Sequence, residues 1–534
     1  MILEPPMDYE CIGRERKEER TNLASSLESV AERNGATAHQ LPGDLRLRWV
    51  LPITARAFSF PVMCVFLLAA LLFKFCSGRI TDPDIWWHLR NARFFFQYHS
   101  LPRFDTYSIG AAGSPWMNHE WLSEIPYYLA FQVMGLRGIF LTYFLVLLLT
   151  YTAVYYLACR AGADCKDAVI LTCVAIVLGL VSIGPRTLLF GWLCMMALLV
   201  LLDYFRRTAK GLWLLPPLFA LWINLHGSWV FGVAVLAIMI VSGLVEGEWG
   251  LVVARRWSPS QLKKLFLTLV TSLAALFVNP FGYRLVFYPF DLLFRQPANM
   301  KNITEWQPVD FGDGMGKLVL AITLSLFAAA WFSRRRWRLE ELLLLSFAMW
   351  FGLSHWRMMF FVGLIIPPIL APRISLFTPY EPEGDKLWLN AAIMATIVAA
   401  LVWFLPSQAT LQQQVSDQFP EAALNFMQRE HLSGRIFNSY GWGGYMEWTA
   451  PDLKPFIDGR ADIFVYNGTF DAYHNATFIK KSLDIMDKYK IDLVLEEADS
   501  PLSYLLEHSA GWHAMYKDRR AELFERAQEG ATAR

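Results

Sequence analysis

The sequence has few charged residues and almost no net charge, and each shortage excludes a class of protein. Only 18% of its 534 residues are charged and 55% are hydrophobic, against about 25% and about 45–50% in soluble globular proteins. Such a chain needs a solvent other than water, so we expect it in a membrane. The net charge of +1 lacks the basic excess that nucleic-acid-binding proteins carry, which excludes nucleic acid as a partner.

Cysteines are also scarce, and their spacing is irregular. None forms the CxxC pair of a zinc site, and no repeated spacing indicates a disulfide framework. We therefore predict no metal ligands, and the cofactor stays open, with a divalent cation among the candidates. The seven cysteines are Cys11, Cys64, Cys76, Cys159, Cys165, Cys173 and Cys194.

Long apolar segments dominate the chain between residues 58 and 405. A hydrocarbon core about 30 Å thick needs roughly 20 apolar residues in a helix. The pattern predicts a polytopic α-helical membrane protein with about eleven transmembrane helices, and segment 122–134 is a further interfacial or re-entrant piece. The candidate spans are 58–76, 135–158, 168–184, 187–205, 212–225, 228–245, 262–278, 317–333, 339–354, 356–371 and 387–405.

Lysine and arginine collect in alternate loops, which is typical of cytoplasmic loops. This bias places the N-terminus inside, so we expect a disordered cytoplasmic tail over 1–56 and a transmembrane domain over 57–405. The first long loop, 77–121, and the second long loop, 279–316, then lie outside. The C-terminal domain, 406–534, lies outside as well, facing the periplasm or the exterior.

The C-terminal domain is predicted to be a small α/β fold. Short apolar runs indicate strands and amphipathic stretches indicate helices, with turn signals between them. The predicted strands are 435–437, 455–457, 492–495 and 521–524, and the predicted helices are 421–429, 482–489 and 502–508.

Two acids, Asp82 and Asp84, stand beside Trp86 and Trp87 at the start of the first long loop. Tryptophan at the headgroup level anchors a protein, whereas a carboxylate near hydrocarbon is costly and marks a candidate site. It would act as a general base or as a ligand for a divalent ion. The alternative is a solvated Asp-Pro-Asp turn whose acid caps the next helix.

The rest of the first long loop supplies four candidate substrate-binding residues: His88, Arg90, His119 and Glu120. The last two lack the second histidine of a zinc protease motif, so a metalloprotease is disfavoured. In the alternative interpretation they cap the helix that enters the next membrane segment.

Several motifs together resemble one family. They are D-P-D-I-W-W-H-L-R at 82–90, L-P-R-F-D-T-Y-S at 101–108, W-M-N-H-E-W-L-S-E at 116–124, W-I-N-L-H-G at 222–227, N-P-F-G at 279–282, E-W at 305–306, N-S-Y-G-W-G-G-Y at 438–445 and I-D-G-R at 457–460. Over about residues 58–526 the chain resembles a family of bacterial polytopic membrane proteins grouped with the GT-C glycosyltransferases.

The resemblance implies an inverting GT-C-type glycosyltransferase of the bacterial inner membrane. Such enzymes carry an acid in the first outer loop and transfer a sugar from a polyprenyl-phosphate donor on the outer face. Asp82 or Asp84 matches that acid by position, and Asp84 is favoured because it adjoins Trp86, Trp87 and His88. The implied partners are the lipid-linked donor, membrane lipid, and a glycan, lipid or protein acceptor.

A phosphate leaving group needs cations, and three arginines fit: Arg186 and Arg357, at predicted outer ends of spans, and Arg90, in the first long loop. Each is alternatively a snorkelling membrane anchor. Glu305 is a further candidate for substrate or metal contact. His226 lies where a helix breaks, so it either lines a cavity or satisfies freed backbone groups.

In the C-terminal domain, Trp442, Asp458 and Arg460 accompany a glycine-rich aromatic run. Exposed aromatics stack on sugars and glycines allow close backbone approach, whereas the alternative is turns and core. Two functions compete with the transferase. One is a lipid or glycolipid transporter or flippase, which predicts charges at mid-bilayer and an inverted repeat. The other is a non-catalytic envelope scaffold.

Overall fold

The computed structural model describes residues 53–77, 80, 82–295 and 304–527, where the chain is mostly helical. The predicted disordered tail therefore falls almost entirely outside the described residues. The helices before the C-terminal domain are α1 (Ile53–Ala57), α2 (Phe60–Cys76), α3 (Asp84–Tyr98), α4 (Trp121–Met134), α5 (Leu136–Arg160), α6 (Cys165–Leu178), α7 (Leu188–Thr208), α8 (Leu215–Leu225), α9 (Trp229–Ser242), α10 (Pro259–Ala275), α11 (Tyr283–Arg295), α12 (Gly314–Phe332), α13 (Leu339–Ser354), α14 (Met359–Leu370) and α15 (Leu387–Trp403).

Within the described residues, four helical stretches are long and apolar enough to cross a membrane: Thr54–Cys76, Leu136–Arg160, Cys165–Ser182 and Leu188–Thr208. A fifth appears if α15 and the following helix, bent by 57°, count as one span. The chain is thus a membrane protein, but the predicted count of eleven is not confirmed. The remaining apolar helices are shorter; α9, with 14 residues, rises only about 21 Å, less than the hydrocarbon core.

The core of the bundle forms around α14, which packs against α5, α6 and α13. A helix that is apolar on all sides is buried on all sides, and nearly every residue of α14 is buried. Gly363 of α14 lies against the backbone of Ala175 in α6, where a side chain would clash. This close approach brings the neighbouring loops together at one end of the bundle.

The C-terminal domain contains a four-stranded sheet. Its strands lie in the order Ile436–Asn438, Leu493–Glu497, Ala521–Arg526 and Trp512–Lys517; the first two are parallel and the other neighbours are antiparallel. The elements are α16 (Gln408–Ser416), α17 (Glu421–Arg429), β4 (Ile436–Asn438), α18 (Gly443–Thr449), α19 (Ala461–Tyr466), α20 (Thr469–Thr477), α21 (Ser482–Lys488), β5 (Leu493–Glu497), α22 (Pro501–Glu507), β6 (Trp512–Lys517) and β7 (Ala521–Arg526). A small sheet in the membrane domain joins β1 (Gly247–Trp249), β2 (Val252–Ala254) and β3 (Trp337–Arg338).

The predicted strand 455–457 is not a strand. Instead, the carbonyls of Pro455 and Phe456 accept hydrogen bonds from the backbone N–H groups of Ile109 and Gly110, at 2.8 and 3.1 Å. The backbone of this segment therefore binds the first long loop instead of pairing in the sheet. The C-terminal domain consequently lies directly on that loop.

Candidate functional site

Polar side chains from six breaks between helices meet at one end of the bundle, here called the site face. Each break has a local cause. Pro83 begins α3, Gly184 and Pro185 precede α7, and Gly227 follows the end of α8. The side chains that these breaks bring together are Asp82, His88, Glu120, Arg186, His226, Glu305 and Arg357.

The first group on the site face is the arginine chain, Asp82–Arg186–Glu305–Arg357. Arg186 donates through Nε to Asp82 and through both terminal nitrogens to Glu305, at 2.8 and 2.7 Å. The Arg357 guanidinium lies 3.9 Å from the same glutamate. Since two carboxylates already bind Arg186, its charge is balanced, whereas Arg357 has one distant partner and is 26% exposed.

Asp84, the first residue of α3, is partly exposed, as is Glu305. The Oδ1 atom of Asp82 accepts the backbone N–H of Asp84 at 3.0 Å, but Asp82 is buried and bound by Arg186, so the turn is not the solvated one of the alternative interpretation. Trp87 Nε1 donates to the Asp84 carboxylate at 3.1 Å. Burial and the adjacent Asp82 charge raise the pKa of Asp84 to about 7. A carboxylate with this pKa exchanges protons near neutral pH.

The second group is the histidine cluster, in which three imidazoles surround the carboxylate of Glu120. His226 Nε2 lies 3.1 Å from it, His119 Nε2 3.6 Å and His88 Nε2 3.8 Å. Thr187 donates its hydroxyl to the same carboxylate at 2.8 Å. Because Thr187 follows Arg186, it joins the histidine cluster to the arginine chain.

Charge in the histidine cluster is set by Glu120. Burial opposes its ionisation, but His119, His226 and His88 outweigh it and lower the pKa of Glu120 to about 2. Burial lowers the pKa of His226 to about 4, against the attraction of Glu120. Ser228 N–H donates to His226 Nδ1 at 3.0 Å, so the neutral ring carries its proton on Nε2 and donates towards Glu120.

Glu124 supports this cluster and was not among the predicted site residues. It accepts hydrogen bonds from His88 Nδ1 at 2.9 Å, Asn91 at 3.1 Å and Asn118 at 2.8 Å. The signal in the sequence was its position one helical turn after Glu120, which places both carboxylates on one side of α4. These bonds fix the orientation of the His88 ring.

Backbone of the C-terminal domain covers Asp84. A side chain at Gly459 would collide with the Asp84 carboxylate, and one at Gly444 would lie 3.1 Å from the Pro83 carbonyl. Tyr440 donates its hydroxyl to the Gly459 carbonyl at 3.2 Å. Only glycine allows this approach, so these turns form a wall of the site.

Three predicted substrate-binding residues of the C-terminal domain lie inside that wall. Arg460 is 2% exposed and pairs with Asp458 at 2.6 Å, Asp105 at 2.8 Å and Glu447 at 3.3 Å. Trp442 is 4% exposed. In this structure these side chains hold the domain against the first long loop and do not face the open part of the site.

The paired tryptophans do not anchor the chain at the headgroups as expected. Trp86 is buried and packs edge-on against Phe419 and Tyr445. Trp87 is buried against Trp116. The physical reason is the C-terminal domain, which covers the surface that would otherwise meet lipid.

Two further predicted residues sit at the edge of the site. Arg90 lies 5.5 Å from the ring of Tyr107, away from the contacts of the arginine chain. His119 stacks on Tyr288 at 4.3 Å, and Tyr288 in turn donates to Asp462 at 3.1 Å. Within the described ranges, no group of three or more His, Cys, Asp or Glu residues is arranged to hold a metal ion.

An apolar groove of about 430 Å³ lies between α4, α7 and α8. Three of its lining residues are sequence neighbours of the site: Leu122 follows Glu120 closely, Phe190 follows Thr187, and Leu225 precedes His226. The side chains of the histidine cluster and of the arginine chain are not part of its lining.

Comparison with known proteins gives structural likeness only. The fold is similar to that of ArnT. The structure of ArnT from Cupriavidus metallidurans bound to undecaprenyl phosphate has 16% identity and a TM-score of 0.47, covering 88% of this chain and 98% of that one. Its apo structure has 15% identity and a TM-score of 0.48, covering 92% and 100%. No protein-family model matches the sequence, and no curated protein does.

Proposed function

We propose that this protein is a membrane glycosyltransferase that moves a sugar from a polyprenyl-phosphate donor to an envelope acceptor on the outer face of the bacterial inner membrane. The observation that carries the proposal is an apolar groove whose lining residues Leu122 and Leu225 stand beside the site residues Glu120 and His226 in the chain. A substrate that fits both parts has a long apolar tail and an anionic, polar head. A lipid-linked sugar phosphate has this form.

The roles follow from the geometry. Asp84 is the general base, because it is partly exposed and its pKa of about 7 lets it accept a proton at neutral pH. It takes the proton of an acceptor hydroxyl, whose oxygen bonds to the anomeric carbon while the bond from that carbon to the phosphate oxygen breaks. Polyprenyl phosphate is the leaving group, and the configuration at the anomeric carbon is inverted.

Arg357 is the proposed phosphate-binding cation, since it is the less engaged arginine of the chain. Arg186 is a positioning residue: it holds Asp82, which in turn fixes the start of α3 and so Asp84. The histidine cluster offers polar contacts to the sugar. Charge that develops on the leaving phosphate is stabilised by a preorganised cation in such a site.

The positions of charged residues disfavour the competing transporter. In the four span-length helices of the described chain, the acidic and basic residues lie in the outer turns, as with Lys74 at the end of α2 and Arg137 at the start of α5. A transporter of this size would place ionisable groups near mid-bilayer. The titratable residues instead collect at the two ends of the bundle.

The decisive experiment is sugar release from a panel of polyprenyl-phosphate sugars by the purified full-length protein in lipid. Wild type is compared with Asp84→Asn and with Asp471→Asn, an exposed acid of α20 outside the site. We expect turnover in wild type and Asp471→Asn, and a loss of at least about a hundredfold in Asp84→Asn.

Turnover that survives unchanged in Asp84→Asn would remove the base from the mechanism. A wild-type protein that releases sugar from no donor, while flipping a fluorescent lipid in the same vesicles, would replace the transferase with a flippase.

A further inference from the structure

A second cavity, of about 270 Å³, lies at the end of the bundle opposite the site face. The helix α7 begins just after Arg186 and ends with Arg206, Arg207 and Thr208. Its 21 residues rise about 30 Å, the thickness of the hydrocarbon core. The cavity therefore lies at the other membrane face and is independent of the proposed active site.

The cavity is lined by six arginines and by two carboxylates, Asp203 and Glu341. The arginines come from the ends of α7 and α14 and from the connection around β3. They are Arg206, Arg207, Arg335, Arg336, Arg338 and Arg373. Cations this close repel one another, so a bound anion would stabilise them.

The carboxylates balance only part of this charge. Glu341 pairs with Arg373 at 2.6 Å and with Arg338 at 3.0 Å, and Asp203 pairs with Arg207 at 3.0 Å. Outside the lining, Glu340 pairs with Arg206 at 2.9 Å and Glu248 with Arg336 at 2.7 Å, so four carboxylates face six arginines. Arg335 donates to two neutral carbonyls, at 2.8 and 2.9 Å. The Arg373 side chain is 2% exposed and its Nε has no hydrogen-bond partner in the described chain. The same guanidinium lies 3.9 Å from the Trp337 ring. A buried donor without an acceptor would be satisfied by a bound anion.

An apolar crevice continues from this cavity into the bundle. It shares Arg206, Arg338 and Glu341 with the cavity and then passes between Leu202 of α7 and Ile365 of α14. A free anion would occupy only the cavity, whereas a lipid would place its headgroup in the cavity and an acyl chain in the crevice. Basic pockets between transmembrane helices are typical sites for anionic headgroups.

We propose that this cavity binds the phosphate headgroup of an anionic phospholipid, with the start of one acyl chain in the crevice. The site differs from the donor groove in membrane face and in chemistry. The binding would tie α7, α13 and α14 together at the face away from Asp84. It holds whether or not the transferase proposal is correct.

The test titrates phosphatidylglycerol, with phosphatidylcholine in parallel, into the detergent-purified full-length protein and counts bound lipid by native mass spectrometry. The variant is Arg207→Gln with Arg335→Gln. The matched control is Arg255→Gln with Arg256→Gln, an exposed basic pair outside the cavity. At about 1 kcal/mol for each arginine, we expect about thirtyfold weaker phosphatidylglycerol binding in the cavity variant and unchanged binding in the control.

Equal weakening in both pairs, or equal binding of phosphatidylcholine, would overturn the proposal. Inorganic phosphate that competes at the same concentration as phosphatidylglycerol would make the cavity a free-anion site instead. If the double variant does not fold, Arg336→Gln replaces it, because this side chain is 59% exposed and pairs only with the equally exposed Glu248 among the described ion pairs. A roughly fivefold loss there supports the site, and no loss contradicts it.

Discussion

The acid limb of the pH–rate profile should report the carboxylate pair of the first long loop. Asp84 must be ionised to accept a proton, and its pKa is about 7. The rate in wild type should therefore be flat above that pH and fall about tenfold for each unit below it. At pH 6 only about a tenth of the molecules hold an ionised Asp84.

Substitution of Asp82 should move this limb to lower pH. The Asp82 charge is one cause of the raised pKa of Asp84, so Asp82→Asn lowers that pKa. A like charge at this range is worth about one to two pKa units, and because Arg186 balances part of it we expect about one. Arg186 favours ionisation of Asp84, so Arg186→Gln should move the limb the other way.

The assay is initial sugar release between pH 5 and pH 9, with Asp471→Asn as the control that leaves the limb in place. Opposite shifts of the acid limb in Asp82→Asn and Arg186→Gln would confirm that these two residues set the pKa of Asp84. The reasoning is refuted if Asp82→Asn is inactive at every pH while Asp84→Asn retains turnover, because Asp82 would then be the base. If neither Asp82→Asn nor Arg186→Gln moves the acid limb of the pH–rate profile, a group other than Asp84 causes it.

Three further predictions concern stability and the wall of the site. The pKa of Asp84 is higher in the folded protein than its unfolded value of 3.8, so its ionisation destabilises the fold increasingly between that pH and about pH 7. Asp84→Asn removes this cost and should raise the unfolding temperature more at pH 8 than at pH 5. An equal rise at both pH values contradicts the prediction. Gly459→Ala should lower the rate of sugar release at least about tenfold, because the added methyl group meets the Asp84 carboxylate. Its unfolding temperature should stay near that of wild type. Arg460→Met should lower the free energy of unfolding by about 3–5 kcal/mol, because it leaves buried carboxylates without their counter-ion. The control is Arg429→Met at an exposed position, and equal losses in both variants would refute the structural role of Arg460.

The sequence predicts well where a pattern is local. The bounds of α17 agree with the prediction, and the predicted spans 135–158 and 187–205 differ from α5 and α7 by a few residues. Continuous apolar runs define such helices without help from the rest of the chain. The strand β6 was missed because its residues, Trp512–Lys517, are mostly exposed and carry no apolar run.

The candidate site was predicted as a set of residues but not as contacts. Charge bias in the loops placed Asp82, Arg186, Glu305 and Arg357 on one side, and the structure brings those four into one chain. Which carboxylate meets which arginine depends on packing between distant helices, which composition does not record. For the same reason Arg460 was predicted to bind substrate and its ion pair was missed: its partner Asp105 lies far away in sequence.

The hydrogen bond from Asn467 to the Gly110 carbonyl joins residues 357 positions apart, and it has a consequence for biosynthesis. The first long loop leaves the ribosome early, yet Asp84 meets its glycine wall only after residue 459 has been made. Until then, Asp105 lacks Arg460, its buried counter-ion, and Asp84 lacks the glycine wall. The partners of Asp82 and Glu120, which are Arg186 and His226, are made earlier, so the wall is the last part of the site to form. A chain cut short by early termination would therefore hold the arginine chain and the histidine cluster without the wall over Asp84.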